Sequence, residues 1–306
     1  MTTQKHRRAY RKTLLTAILL TCIAYASFTF GDTVVKSLTG RFRFPQIMVT
    51  SSCLSILLIS LYGALREGKK AFTTKKPGLM FARAGVSQVI SVCNILALPH
   101  VQMTTFYTLV FTSPFWVLLL SVFFLKDRLD ARRLGVILFS FAVVVCIFRP
   151  GSGLFNIWTA LVVTGSMVHA CQLILMRRIG LEESRAFMML TGAFLSILVM
   201  SPYLPGHFIA PTSGEWALFG LSALLNGIGF LCLTYAFQSA PSASVVAPYH
   251  YTQVVWGALT GWFVFHEMPE ARVMLGACAI IGAGLYLVWS ETRRSRIPDA
   301  ETAIEA

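Results

Sequence analysis

Charge is what this chain has least of. Only 13% of its 306 residues are Asp, Glu, Lys or Arg, against about one quarter in a soluble globular domain. Acids are scarcer still, 13 against 26 bases. Catalytic signatures are absent too. There is no phosphate-binding Walker loop, hence no sign of ATP hydrolysis, and no His-Glu-x-x-His pair or Gly-x-Ser-x-Gly elbow. His6, His100, His169, His207, His250 and His266 are scattered without metal-ligand spacing. No apolar run carries the regular arginine stripe of a voltage sensor. The seven cysteines (Cys22, Cys53, Cys93, Cys146, Cys171, Cys232 and Cys278) lie inside apolar runs without Cys-x-x-Cys spacing. They read as small apolar packing residues and give no disulfide framework.

What is present is hydrophobicity, at 56% of residues with mean hydropathy +0.68. It comes in stretches of about 20 residues, the length that crosses a hydrocarbon core of about 30 Å. The chain is therefore read as an all-α, multi-pass membrane protein. The spacing predicts ten helices, at 13–35, 44–64, 78–98, 102–124, 134–149, 154–176, 186–203, 215–237, 243–265 and 272–290. Residues 1–12 form a polar leading segment, and 291–306 a polar tail of mixed charge, expected to be disordered.

The net charge of +13 does not indicate nucleic acid, because the basic residues bracket apolar runs. With a cytoplasmic N-terminus, 20 Lys and Arg fall inside and 5 outside, with Arg83 left within a helix. The positive-inside rule thus places both termini in the cytoplasm, as expected for a bacterial inner-membrane protein. Arg7-Arg8 before an apolar run resembles a secretory signal, but the run is long and lacks a convincing cleavage site. It reads as an uncleaved first helix.

The two halves are alike. Phe124 is followed by Leu125-Lys126-Asp127-Arg128 and then a helix opening with Leu134-Gly135. About 140 residues on, Phe265 is followed by His266-Glu267-Met268-Pro269 and a helix containing Leu275-Gly276. Five helices per half is an odd number, so the second copy enters the membrane inverted, the design of many secondary transporters.

These residues resemble the EamA-type family of the drug/metabolite transporter superfamily. Thr112-Ser113-Pro114 through Asp127 is similar to its fourth helix, and Val246-Ala247-Pro248 through Glu267 to its ninth. Gly31-Asp32-Thr33-Val34-Val35-Lys36 followed by Phe44-Pro45-Gln46-Ile47 resembles a bacterial subgroup, although Met48 to Ser52 lacks the arginine that members often carry. The resemblance spans Leu14 to Glu291. It implies two five-helix repeats, 13–149 and 154–290, and a carrier of a small polar or amphipathic metabolite working by alternating access. The implied cavity lies between helices 1, 3, 4 and 6, 8, 9, with helices 5 and 10 as scaffold. Amino acids, vitamins, nucleotide-like metabolites and drugs are all substrates of such carriers.

Polar residues inside spans mark the cavity, since a polar group facing lipid is costly. Asp32 and Lys36, at i and i+4, share a helix face. They read either as a structural pair at the membrane edge or as a proton or cation site. In helix nine, His250 and Gln253 read as cavity lining, joined by one of Tyr249 and Tyr251; Pro248 frees a carbonyl where a cavity offers partners. His250 is also a candidate for proton coupling. Tyr107 and Trp116 in helix four offer faces for a planar substrate. His169 and Gln172 in helix six, with Gln88 and Asn94 in helix three, are further candidates; each also fits a helix-to-helix hydrogen bond. Gly257 and Gly261 form a Gly-x-x-x-Gly pair that permits close helix approach. The expected partners are a small-molecule substrate, the bilayer, and a proton or counter-substrate. No cofactor is expected. An intramembrane enzyme acting on a lipid or isoprenoid and a channel are the competing readings.

Overall fold

The helices form because their apolar runs leave no other way to satisfy backbone polar groups away from water. In the computed structural model they are, in chain order, α1 Thr2–Leu38, α2 Phe44–Arg66, α3 Pro77–Ala97, α4 Met103–Val110, α5 Ser113–Leu125, α6 Ile157–Ile179, α7 Arg185–Met200, α8 Ser213–Ser239, α9 Thr252–Phe265 and α10 Ala271–Arg294. The structure describes residues 2–110, 112–125, 134–136, 138–139, 142–143, 146, 156–180, 182–240, 246, 249–250, 252–268 and 271–294. No strand occurs among them.

Six helical segments among the described residues are long and apolar enough to cross a membrane: Leu15–Leu38, Phe44–Arg66, Pro77–His100, Ile157–Ile179, Arg185–Tyr203 and Ser213–Ser239. This is a multi-pass membrane protein. The remaining expected spans differ in detail. Pro114 has no N–H to give the carbonyl four residues back, so the expected helix 102–124 divides into α4 and α5. Thr112 sits in the break and donates its hydroxyl to the Leu109 carbonyl at 2.9 Å. Within the expected helix 243–265, Val246 is helical, Tyr249 and His250 lie in a 3-10 turn, and α9 runs from Thr252. The described residues of 134–149 are helical. At the C-terminal end, helix extends to Arg294, beyond the expected 290.

Outward faces are apolar. On α2, Leu57, Leu61 and Leu65 fall one turn apart and are 67%, 60% and 75% exposed, a stripe suited to lipid. Inward faces carry hydroxyls that satisfy themselves: Thr21, Thr29 and Thr33 each donate to the carbonyl four residues back on α1. The principal packing pairs are α1 with α8, α3 with α6, and α2 with α7. The α1–α8 approach depends on Gly229, where a Cβ would lie 2.8 Å from the Phe28 ring and 3.1 Å from the Ala24 carbonyl oxygen.

Two polar clusters staple opposite ends of the bundle. At the Leu38 end of α1, Lys36 Nζ meets Glu267 Oε1 at 2.6 Å and the Val101 carbonyl at 3.0 Å. Glu267 Oε2 accepts from the Met103 N–H at 2.8 Å, capping α4. A left-handed turn at His266 (φ 52°) reverses the chain so that Glu267 reaches back. At the other end, Thr74 donates to Glu183 at 2.7 Å, Lys76 Nζ to the Ile179 carbonyl at 2.9 Å, and Arg178 to the Phe124 carbonyl at 2.8 Å.

Candidate functional site

A cavity of about 330 Å³ opens in the middle of the bundle. Asp32 from α1, Asn94 from α3, Tyr107 from α4, His169 and Gln172 from α6, and His250 and Gln253 before and within α9 all line it. Residues far apart in sequence thus meet in one space.

One wall is aromatic. The Tyr25 and His250 rings stack at 4.1 Å with 6° between planes, and His169 meets His250 edge-on at 5.6 Å. Tyr25 and His250 are buried, 1% and 2% exposed. Gln172 and Gln253, three residues on from His169 and His250, line the same space. Gln253 Oε1 has no partner among the described residues and is a free acceptor at the wall.

The other wall carries the carboxylate. Tyr107 Oη donates to Asp32 Oδ2 at 3.0 Å, one good neutral-to-acid hydrogen bond inside the membrane. Gly257 leaves the tyrosine its place: a Cβ at that position would collide with the Tyr107 ring. At Gly261 a Cβ would lie 3.2 Å from Glu267 Oε2 and in ordinary contact with Met103 at 3.5 Å. The Gly-x-x-x-Gly pair therefore seats α4 on α9 and fixes the Asp32 partner.

Lys36 does not pair with Asp32. Its ammonium turns away to Glu267 and lies 4.8 Å from the centre of the Phe265 ring, and it is not among the cavity-lining residues. The i, i+4 spacing puts both on one face, but a carboxylate 231 residues away offers the lysine a closer fit at the bundle end. Trp116 also stays off the cavity, packing beside Val117 and Leu120 in the apolar cluster that includes Tyr25 and Leu173. Gln88 bonds across to α7 through the Gly192 carbonyl at 2.8 Å, a helix-to-helix contact. Tyr251 and Pro248 lie outside the described residues.

Sequence reasoning missed part of the wall. Tyr25 was indistinguishable from a packing aromatic until its stacking partner was known. Helix 2 contributes Ser51, Ser52 and Ser55, and helices 7 and 8 add Ser196, Ser222 and Asn226. The signal available was Ser51 and Ser55 at i, i+4 in an apolar helix, a weak one because serine can bond its own backbone.

A bundle of membrane helices around a central cavity with a polar, partly aromatic lining defines a membrane transporter. The chain belongs to the EamA-like transporter family, which matches residues 15–149 and 153–290; it is a transporter and not an enzyme. Its relatives include an S-adenosylmethionine uptake transporter of Rickettsia felis, 25% identical over 92% of this chain and 95% of that protein. A pseudopaline exporter, CntI, of Pseudomonas aeruginosa is 24% identical over 90% and 96%. A riboflavin transporter of Rhizobium johnstonii is 27% identical over 90% and 92%. A protein crystal structure matches with TM-score 0.67 at 17% identity, over 92% of this chain and 99% of that one, a likeness of fold.

Proposed function

We propose that this protein is a secondary carrier that moves a small polar or amphipathic metabolite across the bacterial inner membrane by alternating access, with both termini in the cytoplasm. The substrate site is the central cavity, at the residues Asp32, Asn94, Tyr107, His169, Gln172, His250 and Gln253. The observation that carries this reading is their convergence on one space from both halves of the chain.

Two five-helix repeats of opposite topology, 13–149 and 154–290, account for the packing. Exchanging helix one with six, two with seven and three with eight turns the α1–α8 contact into the α6–α3 contact and returns α2–α7 to itself. That exchange is what an inverted repeat produces, with substrate held at the interface. Movement then requires the end staples to open in turn. The Lys36–Glu267 pair joins α1 to the end of α9 and closes one end; it separates when that end admits solute.

The relatives support a metabolite substrate without selecting one, since they are named for S-adenosylmethionine, pseudopaline and riboflavin, and for both uptake and export. The test is flux of labelled metabolites into proteoliposomes, with and without a pH gradient. Saturable uptake lost in His250→Ala and Gln253→Ala is expected. Unsaturable currents would instead identify a channel. Proton coupling through Asp32 predicts that Asp32→Asn abolishes the gradient dependence; full uptake with unchanged pH dependence would sink the coupling.

A further inference from the structure

We propose that Arg83 is the oxyanion subsite of the central cavity, taking a carboxylate or phosphate of the transported molecule. The inference rests on the carrier reading and adds the chemical class of the cargo.

Arg83 is 2% exposed, in the interior of α3. It is not itself on the cavity wall but lies one turn behind Ser87, which is. Its Nη2 donates to Ser87 Oγ at a long 3.5 Å, and Gln172 Nε2 donates to the same oxygen at 3.0 Å. Ser87 is thus the contact between the guanidinium and the cavity. Nε and Nη1 have no hydrogen-bond partner among the described residues, and neither ion pair among them includes Arg83. The guanidinium rests 4.8 Å from the centre of the Phe230 ring, also on the cavity wall. Room for it is kept by α7: a Cβ at Gly192 would come within 2.8 Å of Nη2.

A buried cation without a counter-charge is costly in a membrane. An aromatic face offsets part of that cost but uses none of the five N–H donors. The planar fork matches a carboxylate or phosphate and would be completed by one. A residue needed only to fill space here would be an aliphatic one. Arg83 therefore holds one half of a pair whose other half arrives with the cargo.

The test uses the purified full chain and two ligand pairs that differ by one oxyanion. They are S-adenosylmethionine with its decarboxylated form, and riboflavin monophosphate with riboflavin, titrated at equilibrium. In at least one pair the oxyanion member is expected to bind about tenfold tighter or more. Arg83→Gln removes that preference and leaves the other member within about twofold of its wild-type affinity; Arg83→Lys keeps part of the preference. His250→Ala weakens both members, as the carrier reading requires. If Arg83→Gln does not survive purification, Gly192→Ala displaces the guanidinium without removing it and is expected to narrow the preference. Equal binding within both pairs, a preference that survives Arg83→Gln, or binding by none of the four overturns the assignment. Equal binding that His250→Ala still weakens would leave the cavity reading standing and make Arg83 a structural cation.

Discussion

Lys36 and Arg83 are both cations set among apolar helices, and the fold treats them in opposite ways. Lys36 has a carboxylate at 2.6 Å, a carbonyl at 3.0 Å and a ring at 4.8 Å. Arg83 is deeper, yet among the described residues has only a hydroxyl at 3.5 Å and a ring at 4.8 Å. The lysine stitches the end of α1 to the α3–α4 link and the end of α9. The arginine meets α8 only through the Phe230 ring and reaches the cavity wall through Ser87. The difference teaches how to sort charges within a membrane protein: a fully partnered one holds helices together, and one with idle donors is kept for a visitor.

The sharpest way to break the comparison is to strand Lys36. Glu267→Ala leaves it without a carboxylate and frees the Met103 N–H, and is expected to cost about 3 kcal/mol of stability. Replacing both partners, as Lys36→Met with Glu267→Met, should return most of that loss in denaturant melts of the detergent-solubilised protein. Next in size is Gly257→Ala. The new methyl collides with Tyr107, so a cost of about 2 kcal/mol is expected, together with reduced proteoliposome uptake because the hydroxyl leaves Asp32. A melt unchanged from wild type would mean that the α4–α9 contact is loose.

A smaller effect comes from Asn156→Ala. Asn156 Oδ1 accepts from the Trp158 and Thr159 N–H groups at 3.0 and 3.1 Å and caps α6. About 1 kcal/mol should be lost with uptake unaltered, which calibrates how far stability alone affects flux. The smallest stability change is expected at the other cation. Arg83→Met removes a buried charge that has no acid partner among the described residues, so the ligand-free protein should melt within about 1 kcal/mol of wild type or slightly above it. A loss as large as that of Glu267→Ala would erase the distinction between the two cations.

The cavity was largely legible residue by residue. Asp32, His250, Gln253, His169, Gln172 and Asn94 stand out because each interrupts an apolar run, and lipid would tolerate none of them. Tyr107 was legible as a polar aromatic in the same setting. Tyr25 was not, because a tyrosine between apolar neighbours packs as often as it binds, and only the His250 ring at 4.1 Å distinguishes it. Trp116 misled for the same reason. The proposed Asp32–Lys36 pairing shows the limit of local spacing. A shared helix face makes two charges neighbours, but a third group on another helix decides whether they bond.

The amino-acid sequence by itself determined that this chain lives in a membrane and which side chains must turn inward, because the cost of exposing a polar group to hydrocarbon is a property of each residue and its own helix. Tertiary structure alone decided the partners: Tyr107 with Asp32, Tyr25 with His250, Lys36 with Glu267, and Arg83 with a ring instead of an acid. The helical period says which face a residue occupies. Which helix lies against that face depends on the packing of the whole bundle, here set by the glycines that let α1 meet α8 and α4 meet α9.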